Sequence, residues 1–191
     1  SSDLDSLRRA ATSAASGDHQ TFRLIRDELQ QRHEQAIQDC VTDPEHARGL
    51  RAEIETLLNN LQNLCQSIYT LGELTPRGLD VVSGMGERLS ARIVAAAMLS
   101  QGGKAQTVEA TDIIVTDDRY GSATPLIDET AVRARARLLP MLNQGVVPVV
   151  TGFIGATIEG VPTTLGRGSS DYSATVLGHC LPADEVWIWT D

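Results

Sequence analysis

The segment TTLGRGSSDYSAT (residues 163–175) leads through a glycine-rich loop into a predicted helix, and it indicates how this part of the chain folds. The two glycines of residues 166–170, which we call the cradle loop, permit tight turns and a close approach of the backbone to a ligand. Ser170 is a favourable N-cap, and the backbone amides of the helical turn after it carry partial positive charge. Arg167 adds a planar guanidinium that can bind a carboxylate or a phosphate through two hydrogen bonds. The segment therefore predicts an anion-binding loop at the amino terminus of a helix.

Predicted strands and helices alternate around the cradle loop. The candidate strands cover residues 105–108, 113–115, 146–150 and 185–189, and the helices among them cover residues 129–139 and 170–181. This alternation implies a mainly parallel sheet with helices on its faces. In such sheets ligands bind at the carboxyl ends of the strands, beside loops that lead into helices. The sequence therefore predicts an α/β fold that places the cradle loop where a ligand would bind.

The first 74 residues follow a different pattern, with few glycines and no strand-like alternation. Asp43 and Pro44 predict the start of a long helix, because aspartate is a favourable N-cap and proline fits the first turn. Apolar residues recur along this helix at spacings of three and four: Leu50, Ile54, Leu57, Leu61, Leu64, Ile68 and Leu71. We predict a helical region with a helical hairpin over residues 1–74 and an α/β part over residues 75–191. A coiled coil with a partner is the less favoured interpretation of the same stripe.

The composition limits the classes of function. The formal net charge of −9 argues against a general binder of nucleic acid or anionic membranes, because such partners attract basic surfaces. No run of 18 apolar residues and no signal-peptide pattern occur in the sequence. Cys40, Cys65 and Cys180 are widely spaced, which predicts free thiols in a reducing compartment. We therefore expect a cytoplasmic protein that has neither nucleic acid nor a membrane as its partner.

Other interpretations of the cradle loop stay open on the residues alone. An N-cap beside a solvated arginine would require no ligand. A dinucleotide fingerprint would require a glycine where Asp171 stands, and a serine hydrolase would require a GxSxG motif, which the segment lacks. Asp171 lies in the first turn of the predicted helix, where the dipole favours a carboxylate that could also hold a lysine or a metal ion.

Glu87 belongs to a second segment of interest, SGMGERLSAR, in which it follows two glycines at the start of a predicted helix. A glutamate in a first helical turn is most often only a partner of the helix dipole. Near an anion-binding loop, however, such a carboxylate could hold an ammonium group. Glu87 together with Arg167 would then suit a ligand that carries both charges, such as an amino acid.

Four segments of the chain together resemble the aspartokinases of the amino acid kinase family: GERLSAR (86–92), VPVVTGFIGA (147–156), TTLGRGSSDYSAT and ADEVWIWTD (183–191). The resemblance covers residues 76–191 and implies part of an amino-acid-kinase-type αβα sandwich. It also implies an enzyme that transfers the γ-phosphoryl group of ATP, with Mg²⁺, to the β-carboxylate of L-aspartate. This reaction opens the biosynthesis of lysine, threonine and methionine, and the resemblance implies a homo-oligomeric enzyme.

The resemblance also implies roles for the residues that would bind the substrate. Glu87 matches the glutamate that contacts the amino group of the substrate. Arg167 matches the arginine that binds a substrate carboxylate. The backbone of the following residues and one hydroxyl group would assist this arginine: Gly168, Ser169 and Ser170. The family commonly has glycine where Ser169 stands, so the loop would sit differently if this position required a positive φ.

The remaining roles implied by the resemblance concern phosphoryl transfer. Asp171 matches the aspartate that orients the active-site lysine, and Thr190 and Asp191 match the start of the segment that runs along the nucleotide. The sequence has no KFGGTS motif, and its only lysine, Lys104, matches no motif of the family. We therefore expect a fragment of a longer aspartokinase that is inactive alone. Another amino acid kinase and a non-catalytic helical interaction module are the alternative functions.

Overall fold

The computed structural model describes residues 3–166 and 168–189 of the chain. The chain divides into two compact units, Ser1–Ala105 and Gln106–Asp191. Arg167, Thr190 and Asp191 are named in the predictions above and lie outside the described residues. The first unit extends beyond the helical region predicted for residues 1–74 and includes two further helices.

The described part of the first unit consists of helices and their connections. They are α1 (Asp3–Ala15), α2 (His19–Cys40), α3 (Pro44–Leu71), α4 (Pro76–Ser83) and α5 (Met85–Ser100). Their starts follow from the local sequence, because aspartate and threonine side chains accept hydrogen bonds from unpaired first-turn amides. Asp18 accepts from the Gln20 and Thr21 amides at the start of α2, and Asp43 accepts from the His46 amide at the start of α3.

The predicted helical hairpin is formed by α2 and α3, which pack against each other. The side chains of Ile25 and Leu29 on α2 and of Leu58 on α3 are fully buried in one apolar core. At the edge of the hairpin, Arg51 donates to both carboxylate oxygens of Glu34 at 2.8–3.0 Å. These bonds lower the pKa of Glu34, but the pair is solvent-exposed and adds little stability. The apolar stripe is therefore what holds the hairpin together.

The described part of the second unit is built from short strands and two α-helices. These are β1 (Ala105–Val108), β2 (Val115–Thr116), α6 (Ile127–Asn143), β3 (Val147–Val150), β4 (Ile154–Thr157), β5 (Pro162–Thr164) and α7 (Ser170–Cys180), with a short 3-10 helix at Ala110–Asp112. β1 pairs with β3, and β2, β4 and β5 form a second sheet in the order β2-β4-β5. This mixture of strands and helices confirms the predicted α/β class.

The three-stranded sheet contains both parallel and antiparallel pairs. β2 runs parallel to β4 with Val115 opposite Ala156, whereas β4 runs antiparallel to β5 with Gly155 opposite Thr163. Gly155 is required at its position because a Cβ there would lie 2.9 Å from the backbone oxygen of Ile114. The close approach of the chain beside Gly155 therefore fixes how β4 packs, and β4 pairs with β5, the strand that leads into the cradle loop.

The strand predicted at residues 185–189 is wrong for this structure, because these residues have no strand pairing among the described part of the chain. Trp187 and Trp189 are 70% and 85% exposed, so this segment contributes neither tryptophan to a core. The pattern of Val, Ile and Trp favours a strand only when a neighbouring strand accepts its hydrogen bonds. The prediction missed β4 and β5.

We predict that Gly155→Ala lowers the free energy of unfolding of the second unit by about 1–3 kcal/mol, the usual cost of overpacking. The added methyl group would meet the Ile114 oxygen and the Thr116 methyl group, each at 2.9 Å. Urea denaturation followed by circular dichroism measures the change.

Gly49→Ala is the matched control, because position 49 lies within α3 and has no atom within 4 Å of an added Cβ. Alanine should stabilise this helix by up to about 1 kcal/mol. Equal effects of the two substitutions would contradict the close packing of β4.

Candidate functional site

The cradle loop connects β5 to α7 and depends on two glycines in left-handed conformations. Gly166 has φ +96° and Gly168 has φ +77°, values that residues with a side chain rarely adopt. Gly168 is exposed, and a Cβ at this position would have no atom within 4 Å. The loop therefore turns sharply and leaves its backbone open to solvent at Gly168.

The helix after the loop begins at Ser170, so the N-cap is Ser169 and the prediction that Ser170 is the N-cap is wrong. Ser169 does not cap the helix with its side chain, because its hydroxyl donates to the Gly166 carbonyl oxygen instead. No described side chain therefore occupies the first-turn amides of α7. Such amides carry the positive end of the helix dipole and favour an anion.

Ser169 stands where the family commonly has glycine, yet its backbone has φ −96°. This value is ordinary for a residue with a side chain, so serine is accommodated without strain. The side chain is buried, with 6% of the residue exposed. Its hydroxyl closes the cradle loop onto Gly166, which gives the serine a role that a glycine could not fill.

The predicted residues of the second unit lie next to one another at the start of α7. Gly168 and Ser170 are exposed, and Ser169 lies buried between them. Asp171 is in the first turn of α7 and is also exposed. Its carboxylate therefore stands where the helix dipole favours negative charge and where a solvent-borne cation can reach it.

Glu87 lies in the first unit, in the first turn of α5 and half-buried. α5 begins after Gly84, which has helical torsions and also ends α4, so no side chain caps α5. The carboxylate of Glu87 is therefore favoured by the dipole of α5, as predicted for a first-turn glutamate. Gly86 beside it packs closely on α1, where a Cβ would lie 3.3 Å from Leu7.

Backbone hydrogen bonds attach the cradle loop to the rest of the second unit. The Leu165 amide donates to the Phe153 carbonyl oxygen at 2.8 Å, and the Ala123 amide donates to the Thr164 carbonyl oxygen at 2.8 Å. Below them the buried hydroxyls of Thr116 and Thr163 are 2.8 Å apart and hydrogen-bonded. These contacts fix the strand end from which the loop leaves.

A second loop, residues 117–124, borders the cradle loop. A Cβ on Gly166 would lie 3.6 Å from the carbonyl oxygen of Gly121, so the two backbones are close. Asp117 organises this second loop by accepting hydrogen bonds from the amides of Thr124 at 2.9 Å and Arg119 at 3.3 Å. Burial raises the pKa of Asp117, but these hydrogen bonds and the nearby Arg119 guanidinium outweigh it and hold the pKa below its usual range.

Sequence reasoning gave no role to the loop 117–124 or to Phe153. The signal for the loop was an aspartate followed by turn-forming residues, since aspartate accepts hydrogen bonds from amides two residues on. Phe153 carried no local signal. It is a buried residue with φ +66°, and its importance becomes visible only from its contacts.

Other features of the described chain bear on its chemistry. Within residues 3–166 and 168–189, no group of three or more His, Cys, Asp or Glu side chains is placed to hold a metal ion. None of the helices in this part combines the length and apolar character needed to cross a membrane. Cys65 is buried, which raises its pKa to about 11, so this thiol is unreactive at neutral pH.

The model of the amino acid kinase family matches residues 11–191 of the chain. Lysine-sensitive aspartokinase 3 of Escherichia coli is 38% identical over 142 residues, which cover 74% of this chain and 31% of that protein. Aspartokinase 1 of Arabidopsis thaliana, a chloroplastic protein, is 34% identical over 167 residues, which cover 85% of this chain and 28% of that protein. The chain therefore spans about a third of the length of these relatives.

The fold is similar to a solved structure. Escherichia coli aspartokinase III, in complex with aspartate and ADP, superposes with a TM-score of 0.78 and 30% sequence identity. The match covers 97% of this chain and 40% of that protein. The resemblance drawn from the four sequence segments is therefore confirmed, and so is the predicted fold class.

We predict that the carboxyl pKa of Asp117, measured by an NMR titration, lies below its ordinary value of 3.8. Because the pKa is lowered in the folded state, the carboxylate stabilises the loop above the pKa of the unfolded chain. That contribution is lost as the pH falls through the folded pKa.

Arg119→Ala is the control for this titration. It removes the guanidinium 3.5 Å from the carboxylate but keeps the two amide donors, so the pKa should stay below 3.8. A pKa at or above the ordinary value in the unaltered chain would contradict the hydrogen-bonded loop.

Proposed function

The chain belongs to the amino acid kinase family, and we propose that it supplies the aspartate-binding part of an aspartate kinase. The reaction transfers the γ-phosphoryl group of MgATP to the β-carboxylate of L-aspartate and yields 4-phospho-L-aspartate. Two findings support this proposal. The relatives are aspartokinases, and the similar solved structure is described as a complex with aspartate and ADP.

The observation that carries the proposal is the open amino terminus of α7. Ser169 directs its hydroxyl to Gly166, so the first-turn amides remain available, and Gly168 leaves the backbone beside them exposed. An arginine occupies position 167, between the two left-handed glycines. Amides and guanidinium together suit a carboxylate, which agrees with aspartate as the ligand.

We assign the two charged ends of the substrate to two residues. Arg167 binds a substrate carboxylate with help from the backbone of Gly168 and Ser169 and from the hydroxyl of Ser170. Glu87 binds the ammonium group. The support for Glu87 is its half-buried position in the first turn of α5, where the helix dipole favours a carboxylate. An amino acid supplies both complementary charges.

The chemistry of phosphoryl transfer explains why such groups are needed. Both reactants are anions, and catalysis consists mainly of positioning them and offsetting their charge. The α7 amino terminus and Arg167 would hold a substrate carboxylate. Asp171, exposed in the first turn of α7, would orient the lysine that assists transfer. Thr190 and Asp191 would begin the segment beside MgATP.

We further propose that the 191-residue chain does not phosphorylate aspartate by itself. Its only lysine, Lys104, lies exposed before β1 and in no family motif. Removing single electrostatic groups from an active site commonly costs about 3–4 kcal/mol of transition-state stabilisation, which is a factor of hundreds in rate. The chain spans only 28–40% of the length of the relatives compared above.

We predict that L-aspartate raises the melting temperature of the chain in a concentration-dependent way, since a ligand that binds the folded state stabilises it. Arg167→Ala should abolish the shift, and Glu87→Gln should reduce it. Differential scanning fluorimetry with an external dye measures the effect. Succinate, which lacks the ammonium group, should give a smaller shift than aspartate.

Arg48→Ala is the control substitution, because Arg48 is an exposed arginine on α3 whose ion pair among the described residues is with Glu45. It should leave the aspartate response unchanged. An equal response in the Arg167→Ala variant would exclude Arg167 as the carboxylate ligand. No response in the unaltered chain would contradict an aspartate site in these residues.

We predict that the isolated chain forms no aspartyl phosphate from MgATP and L-aspartate. Trapping the product with hydroxylamine gives a coloured hydroxamate, and a full-length aspartokinase provides the positive control. Hydroxamate formation above background, dependent on both substrates, would refute the proposed inactivity.

A further inference from the structure

Phe153 has an unusual backbone conformation in the turn before β4. Its φ is +66°, although it is a bulky residue, and the residue is 6% exposed. The Ile154 amide donates to the Gly152 carbonyl oxygen at 2.7 Å, so the turn closes over three residues with Phe153 at its centre. Three-residue turns with a positive φ at the centre are rare and strained. Such strain persists only when the surrounding structure holds it.

Both backbone groups of Phe153 are held by the segment that contains the cradle loop. Its carbonyl oxygen accepts from the Leu165 amide at 2.8 Å, immediately before the loop. Its amide donates to the hydroxyl oxygen of Ser173 at 2.9 Å, after the loop. The turn at Phe153 is therefore hydrogen-bonded to one residue before the cradle loop and to one residue after it.

Ser173 connects the turn to the loop through a single hydroxyl group. Besides accepting from Phe153, this hydroxyl donates to the Ser169 carbonyl oxygen at 3.0 Å, and the residue is 3% exposed. Serine hydroxyls in helices commonly bond to the carbonyl four residues earlier, which alone would mean little. The bond from Phe153, twenty residues away along the chain, makes this hydroxyl a bridge.

The bridge continues into the cradle loop itself. The Ser169 hydroxyl donates to the Gly166 carbonyl oxygen, and that bond leaves the amino terminus of α7 uncapped. A continuous path therefore runs from the Phe153 amide through Ser173 and Ser169 to Gly166. The two hydrogen bonds of the Ser173 hydroxyl are buried and the Ser169–Gly166 bond is partly buried, so loss of a Ser173 bond leaves a polar group without a partner away from water.

We propose that Ser173 is a positioning residue: it couples the strained turn at Phe153 to the cradle loop and thereby fixes the loop for an anionic ligand. It acts through Ser169 and Phe153 and touches no ligand itself. The ligand part of this inference rests on the proposed aspartate-binding function. The coupling part stands on the hydrogen bonds alone and is testable without any ligand.

The coupling is tested by amide hydrogen exchange of the 191-residue chain, followed by NMR. In Ser173→Ala, the Phe153 amide should exchange about 3- to 10-fold faster, because it loses its buried acceptor. Ser173→Thr retains a hydroxyl and should restore slow exchange. Thr175→Ala is the matched control, because Thr175 is exposed and, among the described residues, its hydroxyl donates to the Asp171 carbonyl oxygen of its own helix. Unchanged exchange of Phe153 in Ser173→Ala would overturn the proposal.

Titration with L-aspartate tests the positioning. Ser173→Ala should raise the apparent Kd for aspartate about 3- to 10-fold, whereas Ser173→Thr and Thr175→Ala should leave it near the unaltered value. A faster Phe153 exchange with an unchanged Kd would overturn the positioning role and leave only a structural one. If the unaltered chain does not bind aspartate, the proposed function fails, and the exchange experiment still decides the coupling.

If Ser173→Ala does not fold, amide exchange in the unaltered chain still tests the coupling. The bridge requires the Phe153 and Ser173 amides to open together, with equal dependence of their exchange on low concentrations of denaturant. Independent opening of the two amides would overturn the proposal.

Discussion

The hydrogen bond from the Ser169 hydroxyl to the Gly166 carbonyl oxygen is the constraint on which the candidate site depends. A serine at an N-cap normally satisfies an amide of its own helix. Here the hydroxyl closes the loop instead, so the Ser169 side chain leaves the first-turn amides of α7 uncapped. The left-handed torsions of Gly166 and Gly168 make this closure possible. The Ser169 hydroxyl can either cap α7 or bond to the Gly166 carbonyl oxygen, and the candidate site exists because it makes the second bond.

The two units are stabilised in different ways. The first unit consists of helices joined by an apolar core, with capping residues that define where each helix begins. The second unit has short strands, and its order depends on specific polar contacts such as the bond between Thr116 and Thr163. A long helical stripe tolerates many substitutions of similar volume. A network of buried hydroxyls tolerates few, because each lost partner is costly.

Most of the fold could be predicted from the sequence because helices are specified locally. Asp43 and Pro44 start α3, Thr75 caps α4, and the spacing of apolar residues reveals the buried faces. β4 and its partner β5 were missed because local sequence does not reveal how β4 packs. Position 155 must be glycine because the backbone of Ile114, distant in sequence, leaves no room for a side chain there. The strand predicted at residues 185–189 failed for the complementary reason, since its residue types favour a strand but no described neighbour pairs with it.

The sequence predicted a glycine-rich loop before a helix, as the structure has it, but its assignment of the N-cap was wrong. Glycine spacing and a following helix located the loop, but the choice between Ser169 and Ser170 as N-cap requires the torsions of the backbone. The contribution of Phe153 and Ser173 was invisible, since their contact joins residues twenty positions apart.

The exposed residues 185–189 determine the tryptophan fluorescence of the protein. Both tryptophans of the sequence lie in this segment, with their rings 6.3 Å apart and Trp187 donating to Glu185. Emission from these indoles therefore reports on the surroundings of residues 187 and 189, which are largely solvent. The same fluorescence would detect a protein that binds over this segment, because covering the indoles excludes water and shifts their emission to shorter wavelength.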